Sequence, residues 1–376
     1  MRKSLVVFQF FISQLLIIGT IILITQTNYV RNKELGFRKD AIINIPIPEQ
    51  ESPATDSTVS KMRTLKNEID RVSGIELTSL CYTPPASGNI SGTGFIVEGE
   101  TDDKMKETQV KPADGNFIEL FDLKLIAGTN MADGDTATGF VVNRKLAEVA
   151  GFNDPSDMVG KRIRVWRRML PVVGVVENFH TTSLRSNIEP TVMMNRIRNY
   201  STLSVLVNPL SVQSVIPEIK KQWEAAYPNH LFEYSFMDEA IGEFYDGEQK
   251  ISQLLTIFTS LAIFIGCLGL FGLATFMANQ KTKEIGVRKV MGASVESIVM
   301  MFSKEFIKLI ILGFAFAAPF AWFVMNEWLS EFAYRIDLSV WIFLAGIGIT
   351  LMIAVLTVGY RYERQRPIRL NPWGYE

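Results

Sequence analysis

Few residues in this 376-residue chain have types and spacings that suggest site chemistry. His180 closes the run Glu177-Asn178-Phe179-His180, so an imidazole lies three residues from a carboxylate, as in the first half of a metal or acid–base pair. The other histidine, His230, is about 50 residues away in sequence. One histidine and one carboxylate are too few for a metal, and His180 reads as a loop histidine near a strand end. Ser87-Gly88-Asn89-Ile90-Ser91-Gly92-Thr93-Gly94 is glycine-rich like a phosphate cradle but lacks the Gly-Lys-Ser/Thr ending, so it reads as a mobile loop. Asp133-Gly134-Asp135 begins like a calcium loop, yet Arg144 stands where the distal glutamate is required, leaving a solvated turn. Cys81 and Cys267 form no CxxC pair and no disulfide framework. No Walker sequence occurs. The expectation is no catalytic residue, no metal, no cofactor and no nucleic-acid partner.

One polar cluster remains, the basic segment Gln280 to Ser294 between two long apolar runs. A charged loop in that position must lie at a membrane surface, within reach of a soluble partner. Composition agrees: 48% of residues are hydrophobic, 20% are charged, and mean hydropathy is +0.16. Four runs, roughly Leu5–Thr25, Leu254–Ala278, Phe306–Trp328 and Leu338–Tyr360, each hold enough residues at ~1.5 Å per residue to cross a ~30 Å hydrocarbon layer. The first follows Arg2 and Lys3, but it is too long for a signal peptide and leads into Thr25-Gln26-Thr27-Asn28, so it is read as a retained anchor. Gln9 and Gln14 make it the least apolar run and direct it toward other helices. Gly266, Gly269 and Gly272, at spacing three on the second run, are candidates for close helix packing. No ionisable residue lies near the middle of a span, which argues against an ion-coupled transporter or channel.

Charge sets the orientation. Residues 28–253 carry 25 Lys+Arg against 31 Asp+Glu, and the rest carry 13 against 8. Arg2, Lys3, the 280–305 loop and Arg361 to Arg369 fall on one side of four spans, while Glu331 and Asp337 outweigh Arg335 on the other. The positive-inside rule therefore puts both termini and the loop in the cytoplasm and residues 28–253 outside. Within that domain, strands are predicted at 41–47, 75–81, 95–97, 140–143, 162–166, 171–176, 191–194, 203–207 and 231–236. Pro46 places the first of them at a sheet edge. A helix capped by Ser57 or Thr58 carries Val59, Met62, Leu65, Ile69 and Val72 as one stripe and stops at Gly74, and others follow at 144–150 and 211–226. The fold class expected is an α-helical membrane bundle of four transmembrane helices plus a large mixed α+β extracytoplasmic domain, inserted between helices 1 and 2 and built of one or two subdomains.

The layout of one span, a large outer domain and three more spans, with Lys283-Glu284-Ile285-Gly286-Val287-Arg288-Lys289-Val290-Met291-Gly292-Ala293-Ser294, resembles the FtsX-like, MacB-type permease family of ABC transporters. Val173-Gly174-Val175-Val176-Glu177-Asn178-Phe179-His180, followed by Ile188-Glu189-Pro190, resembles the MacB-like periplasmic core domain of permeases in Bacteroidetes-like bacteria. The implied domains are 1–27 (first span), 28–250 (periplasmic core) and 251–376 (permease, with coupling loop 279–305 and tail 361–376). The resemblance implies that the loop docks on a separate ATPase subunit through Lys283, Glu284, Arg288 and Lys289. Ile285, Val287 and Val290 would supply apolar contact, Gly286 and Gly292 close approach or a bend, and Ala293 completes the motif. Many such permeases carry two copies of the unit, so this chain is expected to pair as a homodimer or with a second permease half, in a bacterial inner membrane. A periplasmic adaptor and membrane lipid complete the expected partners, and Phe244 to Lys250 is read as a stalk. Three function classes follow: export or extraction of a peptide, lipoprotein or drug-like substrate; a non-transporting regulatory member acting on an envelope partner; and an unrelated receptor.

Overall fold

Long apolar runs with few charges form helices, and alternating or β-branched runs between them form strands, so the chain separates by composition along its length. The computed structural model describes residues 2–31, 33–48, 56–87, 91–132, 134–243, 246–280, 291 and 295–364. Two units emerge: Met1–Asn32 with Gly247–Glu376, and Lys33–Asp246.

The α+β unit, Lys33–Asp246, contains two sheets with separate cores. The smaller sheet is antiparallel, in the order β11 (Ser235–Phe236), β1 (Ile42–Pro46), β10 (Thr202–Val207), β2 (Ile75–Cys81). Helices α2 (Asp56–Ile69) and α6 (Val212–Ala226) belong to its core, burying Met62, Leu65 and Ile69 from one and Val215, Ile219 and Trp223 from the other. These spacings of three and four residues put each set on one helical face. α2 already includes Asp56, so Ser57 and Thr58 lie inside it rather than ahead of it. Gly74 lies beyond it at φ +96, where an added Cβ would come within 2.7 Å of Ser211 Cβ.

β1 is an interior strand, contrary to the edge position that Pro46 suggested. Ile47 N donates to Ser201 O on the β10 side, so the alternation turns position 46 toward the β11 side. There β11 pairs only with Ile43 and Asn44, and the N–H that proline lacks has no partner to miss. β11 itself spans only Ser235–Phe236, short of the predicted 231–236.

The larger sheet runs β5 (Leu125–Gly128), β8 (Arg168–Val176), β6 (Phe140–Asn143), β9 (Thr191–Met194), β4 (Lys106–Pro112), β3 (Ser91–Val97), β7 (Arg162–Val165). β7 also pairs with β8, so six of the seven strands close into a ring. Its core includes Phe95, Val110, Phe140, Val142, Ile163, Val172, Val175 and Val192, with Leu146 of α4 (Arg144–Val149) and Met158 of α5 (Pro155–Met158). Ser91–Gly94 belong to β3 and pair with β4, so the second half of the glycine-rich run is a strand rather than a loop. The short helices α3 (Phe117–Leu120) and α7 (Met237–Glu243) complete this unit.

The helical unit consists of α1 (Arg2–Arg31), α8 (Asp246–Gln280), α9 (Val295–Ser330) and α10 (Val340–Arg364). All four are long and apolar enough to cross a membrane by length and composition. In α1, 44% of the apolar window is buried, against 17–22% in the other three, which makes α1 the helix the others pack around.

Candidate functional site

The polar residues of α1 show how that packing is built. Gln14 Nε2 donates to Ile310 O of α9 at 3.2 Å, Ser13 Oγ to Ala262 O of α8 at 3.4 Å, and Thr20 shares a 2.8 Å hydrogen bond with Thr259 of α8. Gln26 binds the turn after α9 from both ends of its amide, donating to Tyr334 O at 2.9 Å and accepting from Ile336 N at 2.9 Å. In an apolar bundle such bonds fix which helix faces meet.

Each of the three later helices presents a glycine to α1. A Cβ at Gly269 of α8 would lie 2.5 Å from Gln9 Oε1, and one at Gly266 would lie 3.8 Å from Ser13 Oγ. At Gly313 of α9 it would meet Phe10 Cβ at 3.0 Å, Phe11 N at 3.2 Å and Val7 O at 3.3 Å. At Gly346 of α10 it would meet Ile18 Cγ1 at 2.7 Å. Gly272 has nothing within 4 Å. Three residues advance a helix by about 300°, so a spacing-three stripe drifts around the axis, and Gly272 has turned away from the face that Gly266 and Gly269 share. Gly313 and Gly346 escaped the sequence reading because neither belongs to a run of glycines at helical spacing.

The predicted coupling residues Lys283, Glu284, Ile285, Gly286, Val287, Arg288, Lys289, Gly292 and Ala293 lie outside the described residues, as do Phe244 and Tyr245 of the predicted stalk. α8 ends at Gln280, close to the predicted start of the 279–305 loop, whereas α9 begins at Val295 and takes up the last part of it. Asp246 to Lys250 form the first turn of α8.

In the α+β unit, the Glu177–His180 segment joins elements together. Arg144 grips Glu177 with both ends of its guanidinium, Nε to Oε1 at 2.7 Å and Nη2 to Oε2 at 2.9 Å, and these bonds hold the Glu177 carboxyl below the usual carboxylate range. Asn178 Oδ1 accepts from Lys145 N at the start of α4. His180 is buried, its backbone N–H donates to Leu35 O at 3.0 Å, and its carbonyl accepts from Ala86 N at 3.2 Å. Burial, with a smaller contribution from Lys33, pushes its pKa down to about 4, so the imidazole is neutral at pH 7. Gly36 packs so closely here that an added Cβ would lie 2.6 Å from Asn178 O. The segment entering the unit from α1 is thus pinned at Leu35 and Gly36, and again where Arg38 N donates to Phe121 O. Among the described residues no group of His, Cys, Asp and Glu could hold a metal, and both cysteines are free.

Lys111 is a buried group that sequence inspection missed. Its ammonium donates to Thr83 Oγ1 at 2.9 Å, Pro84 O at 3.0 Å and Ser87 Oγ at 3.4 Å. It thereby fixes the 83–87 turn, which lines a cavity of about 510 Å³ with Asn44, Met237 and Glu243. The polar run Lys106-Glu107-Thr108-Gln109 disguised β4 as a loop and hid this lysine.

Residues 256–365 match the family model described as FtsX-like permease C-terminal. The chain carries an FtsX-like permease domain. That domain spans α8 from its third turn onward, the 281–294 segment, α9 and α10. Beyond it, the chain is 21% identical over 281 residues to a protein of Bacillus subtilis named "Uncharacterized ABC transporter permease YknZ", covering 71% of this chain and 68% of that one. It is 22% identical over 251 residues to the "Macrolide export ATP-binding/permease protein MacB" of Aggregatibacter actinomycetemcomitans, covering 63% of this chain. This chain spans only 38% of that relative's length. Among solved structures, the periplasmic region of MacB from Actinobacillus actinomycetemcomitans aligns with a TM-score of 0.40 and 11% identity, covering 56% of this chain and 94% of that one.

Proposed function

We propose that this chain is the membrane subunit of an ABC transporter, driven by ATP hydrolysis on a separate ATPase chain. The observation that supports it is the FtsX-like match over 256–365, which encloses both the 283–293 motif and the glycine contacts of α8. In this reading the termini and the 281–294 segment face the cytoplasm, and the α+β unit, a MacB-like periplasmic core, lies outside the inner membrane. Glu284, Arg288 and Lys289 form ion pairs with the ATPase, and Ile285 and Val287 seat between them.

Transmission of force follows from the helices. α8 is unbroken from Asp246 to Gln280, about 50 Å at ~1.5 Å per residue, so displacement of its cytoplasmic end moves its other end as a rod. Gly266 and Gly269 let α8 lie close against α1, to which Thr20 and Thr259 also tie it, so motion of α8 is passed to α1. Motion enters the α+β unit at two covalent points. One is the Leu35–Arg38 segment tied to His180 and Phe121, and the other is the β11–α7 segment tied to β1. Opening and closing of that unit exports or extracts a peptide, lipoprotein or drug-like substrate, with a second permease half, a homodimer mate or a periplasmic adaptor completing the assembly.

The test pairs the chain with its cognate ATPase in lipid nanodiscs. Glu284→Ala with Arg288→Ala is expected to abolish stimulation of ATP hydrolysis and co-purification of the two chains. Undiminished coupling in that double variant refutes docking through this segment. Coupled hydrolysis without export of any candidate substrate would instead favour a regulatory member that acts on an envelope partner.

A further inference from the structure

A cavity of about 760 Å³ opens beside the β7–β8 hairpin, lined by Trp166, Arg167 and Arg168 from the hairpin and by Asn195, Arg196 and Arg198 after β9. The hairpin is rich in arginine, but its arginines fall into two groups. Arg162 pairs with Glu98 at 2.8 Å and Arg164 pairs with Asp102, as solvated strand residues commonly do. Arg167, Arg168, Arg196 and Arg198 have no carboxylate partner among the described residues. Asp135, also in the cavity lining, is engaged by Arg63. Four guanidiniums therefore surround the cavity uncompensated.

Two further observations distinguish this from a merely charged surface. Asn195 is 3% exposed and lines the same cavity, and its Nδ2 has no acceptor. A buried amide donor left without a partner is destabilising, so its retention calls for an acceptor that arrives with a ligand. Trp166 sits at φ +52, a conformation unusual for a bulky residue, and its ring lies under the Arg196 guanidinium, 4.4 Å from the centroid. That stacking holds Arg196 in a fixed direction at the cavity.

The donor set selects the ligand chemistry. A single guanidinium fork satisfies both oxygens of a carboxylate, whereas a phosphate monoester brings three oxygens and close to two charges and can take several forks and an amide together. The cavity is also far larger than a phosphate ion, leaving room for an organic remainder beside the indole. We propose that this cavity binds a phosphate monoester, held by Arg167, Arg168, Arg196 and Arg198 with the Asn195 amide donating to one of its oxygens. Nothing in this assignment depends on how the ATPase docks.

The test uses the full chain in detergent micelles at low ionic strength and titrates it calorimetrically with glycerol 3-phosphate, inorganic phosphate, sulfate and acetate. A second arm titrates short-chain phosphatidic acid, with short-chain phosphatidylcholine as the phosphodiester control, and tighter binding of glycerol 3-phosphate or of phosphatidic acid identifies a soluble or a lipid source. Saturable binding of a phosphate ester is expected, weakened about tenfold or more by Arg167→Ala with Arg168→Ala, and by Asn195→Asp, which sets a carboxylate against the anion. Arg196→Lys keeps the charge but loses the fork, and is expected to weaken binding less than Arg196→Ala. The first pair lies on the exposed hairpin tip, so unchanged circular dichroism and melting are expected to accompany the loss. Absence of saturable binding with every phosphate probe overturns the proposal. So does acetate or sulfate binding as tightly as the esters, or ester affinity unchanged in the double arginine variant.

Discussion

Lys111→Met tests how the α+β unit holds a charge in its interior. Lys111 is 1% exposed, and its ammonium has three oxygen acceptors and no carboxylate partner among the described residues. Burial pulls its pKa from 10.5 to about 8, with Cys81 acting weakly in the other direction. That displacement corresponds to ~3 kcal/mol against the charged form. The unfolded chain keeps its proton up to about pH 10.5 and the folded chain gives it up near 8, so between these values the folded state binds fewer protons and stability rises with pH. Below pH 8 both states are protonated and the penalty is constant. At neutral pH the methionine variant escapes that penalty but leaves Pro84 O without its Lys111 donor, a loss of about 1–3 kcal/mol, so the two proteins should differ little. By pH 10.5 the wild type should have gained ~3 kcal/mol relative to the variant. Cys81, whose thiol burial pushes up to about 12, lowers stability in alkali and is itself coupled to Lys111, so the comparison is repeated in a Cys81→Ala background to separate the two groups. Urea unfolding of residues 33–246, followed by the fluorescence of buried Trp223 from pH 6 to 10.5, reads the effect. Parallel curves for the two proteins across that range would refute the burial of a charged lysine.

Three other outcomes are expected. Gly313→Leu should destabilise the helical unit by about 1–3 kcal/mol, because the new side chain meets the α1 backbone, while Gly348→Leu, with nothing within 4 Å, should not; thermal melting in detergent compares them. Gln26→Leu removes both bonds to the 334–336 turn and should raise its susceptibility to limited proteolysis without altering helix content by circular dichroism. His180 should show no imidazole titration by NMR between pH 5 and 8, and the α+β unit should lose stability as pH falls from 6.5 toward 4, because only the unfolded chain takes up that proton; His180→Phe should flatten that dependence.

Much of this architecture can be read from residue types alone, where one physical effect dominates. Ile75–Cys81, Phe140–Asn143 and Thr191–Met194 are rich in β-branched and apolar residues, and their strand limits coincide with the expected ones. β4 was illegible because its buried Thr108, Gln109 and Lys111 are polar, with Thr108 and Lys111 held by partners such as Pro190 O and Pro84 O that are distant in sequence. Without β4 the closure of the larger sheet cannot be inferred. The same limit applies to the glycines. Repetition draws attention to Gly266, Gly269 and Gly272, but proximity to α1 depends on rotation about each helix axis, and it selects Gly313 and Gly346 as well. The four arginines without a carboxylate partner, two at the β7–β8 turn and two after β9, were likewise unremarkable in sequence, since only the fold gathers Arg167 and Arg196 at one cavity.

The place of α1 in the helical unit has a consequence for how the chain is made. α1 is synthesised before the other three helices, yet every segment that satisfies Gln14, Thr20 and Gln26 lies after the α+β unit. At ~5–20 residues per second, the roughly 210 residues of that unit occupy a ribosome for on the order of 10–40 s. Through that interval α1 stands in the membrane with its amides and hydroxyls lacking their final partners, a state in which a chaperoning helix or another copy of α1 could capture it. Bundle assembly is therefore a late step, and a lesion that delays α8 should appear first as turnover of the nascent chain rather than as loss of activity in the finished one.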